Sequence, residues 1–194
     1  MFCHLKIGNF CTNRKDYRFM NYATIKSVDI ANGPGVRVSL FVSGCPHHCK
    51  ACFNEEAWDY QYGEPFTEET QEHLLSLLAP DYIEGMTLLG GEPMYPKNQE
   101  ALLPFVKKIR DTYPNKTIWC FTGYDFEKEI LAKMVPESET TRELLPLFDV
   151  MVDGRFVEEK RNLSLKFRGS ENQRILNVKE SLREGKAVWV EEFR

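Results

Sequence analysis

The chain has 194 residues, of which 42% are hydrophobic, which suits one domain with a single substantial core. Its formal net charge is −4, and its lysines and arginines are scattered among acids, so the composition argues against binding to nucleic acid. No apolar run approaches the roughly 18 residues of a membrane span, and the N-terminus lacks the apolar core of a signal peptide. We therefore expect a cytoplasmic protein without membrane contact.

The pattern of apolar residues predicts strands and helices in alternation along the chain. Residues 36–42, VRVSLFV, are expected to form a strand, and Thr67 to cap an amphipathic helix that ends before Pro80. Further helices are predicted in KNQEALLPFVKKIRDT, with Pro104 in its first turn or at a kink, and in DFEKEILAKMV, capped by Asp125. Further strands are predicted in MTLLGG, TIWCF, FDVMVDG, RILNV and AVWVEEF.

Strands that alternate with helices over short connections indicate parallel pairing through βαβ units. The chain has about four or five such units, fewer than the eight of a closed barrel of about 250 residues. We therefore predict an α/β fold, namely a partial, open βα barrel of mostly parallel strands, in a single domain of residues 20–194. Residues 1–19 show no periodicity and are expected to be an N-terminal extension, not part of the fold.

Three of the six cysteines are clustered in the sequence GCPHHCKACFN, directly after the predicted strand 36–42. In a reducing compartment, clustered thiols favour metal binding or catalysis over a structural disulfide. Cys120, which lies inside a predicted strand, is expected to be a small buried hydrophobe. The clustered cysteines are Cys45, Cys49 and Cys52, and the others are Cys3, Cys11 and Cys120.

Two kinds of metal site can use this triplet. A structural zinc ion needs four protein ligands, and the candidate histidines His47 and His48 both lie between the first two cysteines, where closure would need a very tight loop. An iron–sulfur cluster is ordinarily held by four thiolates, so three would leave one iron open to another ligand.

Several predicted strands end in unusual loops. The cysteine loop, GGEP, TGY and DGRF each follow a strand, and the carboxyl ends of parallel strands gather chemistry on one face. We therefore expect these four loops to converge. They contain no Ser/His arrangement and no acid–base pair, so no catalytic residue of the acid–base type is predicted. Glu92 of GGEP is either a solvated loop acid or an acceptor for a cationic ligand.

The C-x3-C-x2-C spacing after a strand, followed about forty residues later by GGEP, resembles the radical S-adenosylmethionine (SAM) superfamily. The resemblance implies one [4Fe-4S] cluster, whose open iron binds the amino and carboxylate groups of the SAM methionine, with the GGE turn against the amino group and Phe53 near the adenine. The implied metal ligands are Cys45, Cys49 and Cys52. The implied SAM-binding residues are Ala51, Cys52, Phe53, Gly90, Gly91 and Glu92.

The order of several segments along the chain narrows the resemblance to one group within this superfamily. DIANGPGVRVSLFVSGC, LLGGEP, FTGY, VDGRF and RGSENQR, between about residues 21 and 174, resemble the activating proteins of anaerobic ribonucleotide reductases. The resemblance implies that residues 20–194 are a radical SAM domain, which reductively cleaves SAM to a 5′-deoxyadenosyl radical. That radical takes a hydrogen from a glycine in the C-terminal loop of the partner reductase. An external electron donor such as flavodoxin or ferredoxin is also implied.

Some features leave alternatives open. Ala51 stands where the activating proteins usually have glycine, and residues 158–174 are either a solvated loop or a docking segment for the partner. Two other functions also remain: a radical SAM enzyme that acts on a small molecule or peptide, and a zinc-stabilised binding module.

Overall fold

The computed structural model describes residues 20–194, a single mixed α/β domain; the predicted extension 1–19 lies outside the described residues. Its seven strands form one sheet in the order β3-β1-β2-β4-β5-β6-β7. The strands are β1 (Asn21–Asp29), β2 (Val36–Val42), β3 (Glu64–Pro65), β4 (Ile83–Gly90), β5 (Thr117–Phe121), β6 (Val150–Asp153) and β7 (Arg174–Asn177).

The centre of the sheet is parallel and its edges are antiparallel. Strands β2, β4, β5 and β6 pair in parallel, which confirms the prediction for the middle of the chain. At the edges, β1 pairs antiparallel with β2 and β3, and β7 pairs antiparallel with β6. The sequence does not predict β1. The strand that precedes the cysteine loop is therefore the second strand of the chain, β2.

The helices connect the parallel strands in sequence, except the last α-helix, which follows the antiparallel strand β7. Thr67 caps the first helix through its side chain, as predicted, and Asp125 caps the π-helix by accepting a hydrogen bond from the Lys128 amide. Pro104 lies in the interior of α2 rather than in its first turn, where Pro96 stands instead. The helices are α1 (Glu68–Leu78), α2 (Pro96–Thr112), a π-helix (Phe126–Met134), α3 (Val135–Glu137), α4 (Glu139–Leu144) and α5 (Val178–Glu184).

The C-terminal segment AVWVEEF does not form the predicted strand. It pairs with β7 at a single bridge between Leu176 and Trp189, and then turns into a short 3-10 helix at Glu191–Phe193. The turn carries the buried Phe193 into an apolar cluster, and this burial ends the pairing. Within residues 20–194, none of the helices combines the length and the apolar character that a membrane crossing requires.

Both faces of the sheet are buried. Residues alternate along β5, so Ile118 and Cys120 belong to the large core that includes the helices, whereas Trp119 belongs to a second cluster with Ile175 and Phe193. The burial of Cys120 confirms its predicted role as a small hydrophobe. The second cluster fills part of the other face, and a pocket opens beyond it at the carboxyl ends of the parallel strands.

Candidate functional site

A pocket of about 470 Å³ lies where the parallel strands end. The cysteine loop follows β2, GGEP follows β4, Thr122 and Gly123 follow β5, and Gly154 and Phe156 follow β6, so the four loops converge as expected. The lining includes every residue predicted to hold a cluster or SAM: Cys45, Cys49, Ala51, Cys52, Phe53, Gly90, Gly91 and Glu92.

The cysteine loop is held in place mainly through its backbone. The amide of Gly44 donates to the carbonyl of Ala57 at 2.8 Å, and the amide of Cys45 donates to the carbonyl of Trp58 at 3.2 Å. These bonds join the start of the loop to the 3-10 helix at Glu55–Trp58. Ala51 has a φ of 56°, in the left-handed region that favours glycine.

The three clustered thiols are unpaired, and the surroundings of two of them, Cys45 and Cys49, disfavour the thiolate form. Burial raises the pKa of the Cys45 thiol to about 11, and the charge of Glu92 adds to the rise. Burial also raises the pKa of the Cys49 thiol, although a hydrogen bond from the backbone of Phe156 opposes the shift. A bound cation would supply the positive charge that keeps these sulfurs ionised. The donor set therefore fits a metal group.

The spacing of the thiol sulfurs can be compared with the spacing that a single zinc ion requires. Thiolates around one tetrahedral zinc lie about 3.8 Å apart, since each Zn–S bond is about 2.3 Å. Among residues 20–194, the one group of three or more ligand atoms that all lie within 4.8 Å of one another is Asp125, Glu127 and Asp153. In this structure, the three sulfurs therefore do not all lie within 4.8 Å of one another, which is wider than the spacing around one zinc ion and is compatible with a larger inorganic group.

A basic side chain already pairs with the carboxyl groups of that acidic group. Arg174 lies at its centre, 2.7 Å from Glu127 and in contact with Asp153. The guanidinium takes the place that a cation would occupy, and it links β7 to the end of β6 and to the π-helix.

The GGEP turn packs directly against the cysteine loop. The amide of Gly91 donates to the carbonyl of Val42 at 2.7 Å, and the amide of Glu92 donates to the carbonyl of Gly44 at 2.9 Å. Gly90 has a φ of 103°, and a Cβ there would lie 2.8 Å from the Cα of Phe41. The glycines are therefore needed for the close approach of two backbones, whatever they bind in addition.

Glu92 is 0% exposed, so its interpretation as a solvated loop acid is wrong. One carboxylate oxygen accepts from the amide of Met94 and from the hydroxyl of Thr122, both at 2.8 Å. The other accepts from the amide of Gly123 at 2.8 Å, and His47 Nε2 lies 2.7 Å from it. The carboxylate thus joins the cysteine loop, its own turn and the loop after β5.

Phe53 lies at the rim of the pocket rather than in its interior. Its side chain is 85% exposed, and the equally exposed Leu163 lines the same pocket from the segment that follows β6. Two large apolar side chains at an opening are available to a ligand or to a protein partner.

Comparison with known proteins shows the family. A family described as a 4Fe-4S single cluster domain matches residues 31–176. The anaerobic ribonucleoside-triphosphate reductase-activating protein of Pasteurella multocida is 42% identical over 158 residues, 80% of this chain and 96% of that protein. The chain belongs to this family of activating proteins. Those of phage T4 and of Escherichia coli K12 are 41% and 38% identical, with 80% and 82% of this chain covered, and 93% and 100% of those proteins.

Other residues of the site are marked only weakly in the sequence. The sequence offers His47 only as a candidate zinc ligand, whereas its side chain contacts Glu92 in the structure. Asn98 lies on the buried side of α2, and its amide donates to the carbonyls of Ser43 at 3.0 Å and Glu92 at 2.9 Å. A polar residue among the apolar positions of a helix is the signal that points to Asn98.

Proposed function

We propose that this protein activates an anaerobic ribonucleotide reductase by forming a glycyl radical on it. The observation that carries the proposal is the pocket that the cysteine loop and the GGEP turn share. Support comes from relatives at about 40% identity whose names state this activation and from the match to a 4Fe-4S single cluster domain.

The proposed cofactors are one [4Fe-4S] cluster and SAM. The cluster is held by Cys45, Cys49 and Cys52, and SAM by the turn Gly90, Gly91 and Glu92 together with Ala51, Cys52 and Phe53. When bound, the cluster would pass one electron from a donor such as flavodoxin or ferredoxin to SAM, and cleavage of SAM to methionine would supply the 5′-deoxyadenosyl radical that takes a hydrogen atom from the partner's glycine.

In this proposal, the residues of the chain bind the cluster and SAM, orient them relative to each other and shield them from water. The backbone hydrogen bond from the Glu92 amide to the Gly44 carbonyl fixes the turn against the cysteine loop, so both halves of the site keep one geometry. The apolar lining from Leu89, Phe121 and Phe156 limits water around the reacting groups. No side chain is assigned to acid–base catalysis in this proposal.

The partner would complete the site from outside. Segment 158–174 borders the pocket through Arg161, Asn162 and the exposed Leu163, and we propose that it contacts the reductase near its C-terminal glycine loop. Lys50 on the cysteine loop pairs with Glu158 at 2.8 Å, so contact with this segment would also reach the cysteines.

Three further assignments belong to this proposal. Residues 20–194 are taken as the radical SAM domain, with residues 1–19 as an extension. The sheet is taken as a partial, open barrel. The location is taken as the cytoplasm.

The test uses the full chain, loaded with iron and sulfide under anaerobic conditions, reduced, and mixed with SAM and the reductase. We expect methionine, 5′-deoxyadenosine and the electron paramagnetic resonance doublet of a glycyl radical. The matched control is a reductase whose radical glycine is replaced by alanine, which should give no doublet. SAM cleavage without any radical on the reductase would favour a small-molecule or peptide substrate. A colourless, zinc-loaded protein would favour the binding module.

A further inference from the structure

The carboxylate of Glu92 has no free acceptor position. A carboxylate offers about four lone-pair sites, and protein donors take two on each oxygen. Two of these donors are backbone amides, from Met94 and Gly123, and two are the side chains of His47 and Thr122. An ammonium group could therefore reach Glu92 only by displacing or sharing one of them. The arrangement instead suits a group whose work is to hold neighbouring loops together.

His47 is the member of this network that comes from the cysteine loop. Its side chain is only 3% exposed, and its ring packs edge-on against Tyr124 with centroids 4.5 Å apart. A Cβ at Gly123 would lie 2.4 Å from His47 Cδ2, so the absence of a side chain at position 123 makes room for the ring. The ring is therefore fixed on both sides, and Nε2 points to the carboxylate at 2.7 Å.

His47 also stands between two of the proposed cluster ligands. Cys45 precedes it by two residues and Cys49 follows it by two, and Glu92 lies in the turn proposed to meet the methionine group. One hydrogen bond thus joins the peptide that carries the thiols to the turn that faces the ligand of the cluster. The adjacent His48 lies outside this network: its ring packs on Trp58, with centroids 4.6 Å apart.

We propose that His47 is a positioning residue that acts through Glu92. Its hydrogen bond fixes the cysteine loop relative to the GGEP turn and to the loop after β5, so that a cluster and the methionine group of SAM are presented to each other in one orientation. This inference deepens the proposed function and rests on it. It assigns Glu92 to internal positioning, with the backbone of the turn left to meet the ligand.

The experiment compares two replacements at position 47. His47→Gln keeps an N–H donor at similar reach, whereas His47→Phe keeps a flat ring without a donor. Matched controls are His48→Gln and His48→Phe, which make the same changes one residue along the same loop. For each variant, we would measure the iron content, the unfolding midpoint of the cluster-free protein, and the SAM dissociation constant of the cluster-loaded protein by equilibrium dialysis.

We expect His47→Phe to raise the SAM dissociation constant about 10- to 100-fold, as is typical when a residue that orients the groups around a metal is lost. His47→Gln should stay near wild type, the iron content should be unchanged in both, and the His48 controls should change nothing. Glu92→Gln should raise the SAM dissociation constant similarly. The double variant Glu92→Gln with His47→Phe should have a SAM dissociation constant no higher than that of whichever single variant binds SAM more weakly.

Other outcomes would overturn the inference. Equal SAM binding by His47→Phe and wild type would mean that His47 orients nothing. Tighter binding would make it a competitor of the ligand, and loss of iron would make it part of the cluster's support.

If the wild-type protein did not bind SAM, the proposed function would fail. The positioning role would still be decided in the cluster-free protein, where His47→Phe and Glu92→Gln must lower the unfolding midpoint non-additively. If His47→Phe did not fold, the network would be tested at the other carboxylate oxygen of Glu92, by comparing Thr122→Val, which loses the hydroxyl donor, with Thr122→Ser, which keeps it. Loss of SAM binding in Thr122→Val alone would support the network. Equal SAM binding by the two variants would refute it.

Discussion

The backbone of Gly91 lies so close to the carbonyl oxygen of Gly44 that a Cβ at position 91 would be 2.6 Å from that oxygen. Gly91→Ala should therefore separate the GGEP turn from the cysteine loop and cost about 1–3 kcal/mol of folding free energy, as overpacking does. Iron loading should fall as well. Gly185→Ala is the control, since a Cβ at position 185 meets nothing within 4 Å and only its φ of 65° is unfavourable. Wild-type iron content in Gly91→Ala would refute the close-packing argument.

Replacement of the clustered cysteines should remove the metal group. Cys45→Ala, Cys49→Ala and Cys52→Ala should each prevent stable cluster assembly, because the other two thiols cannot hold it alone. Cys120→Ala should retain the cluster, since this thiol is buried in the apolar core. Iron and sulfide analysis after anaerobic reconstitution measures both. An iron-free Cys120→Ala beside an iron-loaded triplet variant would show the ligand assignment to be wrong.

Stability should depend on the charge of Asp149. Burial disfavours this charge, but hydrogen bonds from Arg110, the Ile118 amide and Lys179 outweigh burial and hold the pKa below its ordinary 3.8. A lowered carboxyl pKa stabilises the fold above pH 3.8, and the stabilisation is lost as the pH falls through the folded-state value. Asp149→Asn should thus cost about 1–3 kcal/mol at pH 7, where charged hydrogen bonds are lost.

The comparison between Asp149→Asn and wild type should be made by denaturant unfolding from pH 7 downwards. The two proteins should converge below pH 3.8, whereas the exposed control Asp111→Asn should match wild type throughout. A constant difference between Asp149→Asn and wild type at every pH would show that the charge is not its source.

Replacement of Ala51 by glycine should stabilise the fold. Its φ of 56° costs an L-residue about 1–2 kcal/mol, which exceeds the extra entropy that glycine loses on folding. Ala51→Gly should therefore raise the unfolding free energy of the cluster-free protein by up to about 1 kcal/mol. The matched control is Ala79→Gly, at a φ of −60°, which should lower it. Destabilisation by both changes would argue against the left-handed conformation at Ala51.

A protein that begins at Met20 should fold, bind iron and remain active. Met20 is itself part of the core, and its carbonyl accepts a hydrogen bond from the Phe66 amide at 2.7 Å. We expect the same unfolding midpoint and iron content as for the full chain. Loss of soluble protein on this truncation would make residues 1–19 part of the fold.

Local patterns predicted the elements that are buried in regular ways. Strand β2 and the helix capped by Thr67 follow from apolar periodicity and a capping residue. Strand β1 is not predicted because many of its residues are exposed. In addition, its register with β2 is irregular, which breaks the alternation of buried and exposed side chains. The false strand at AVWVEEF has a strand-like composition, but burial of Phe193 directs that segment elsewhere.

In the candidate site as well, features that depend on short stretches of sequence are predictable, whereas contacts between distant residues are not. The spacing of the cysteines and the GGEP turn identified the lining of the pocket, because those signals lie within short stretches. The burial of Glu92 was not predictable, since two of its donors, His47 and Thr122, are 45 and 30 residues away in the chain. A carboxylate at a strand end gives no sign in the sequence of how many donors will surround it.

The proposed cluster ligands lie outside the apolar core, on a loop that is anchored by backbone bonds to the 3-10 helix at Glu55–Trp58. We therefore expect folding and metal loading to be separable events in this chain, unlike in small zinc domains that are unfolded without their ion. We expect oxygen to strip iron from the protein and leave the sheet and its helices standing. Damage of that kind is repairable: a bleached protein should recover its colour from iron and sulfide alone, without passing through denaturant.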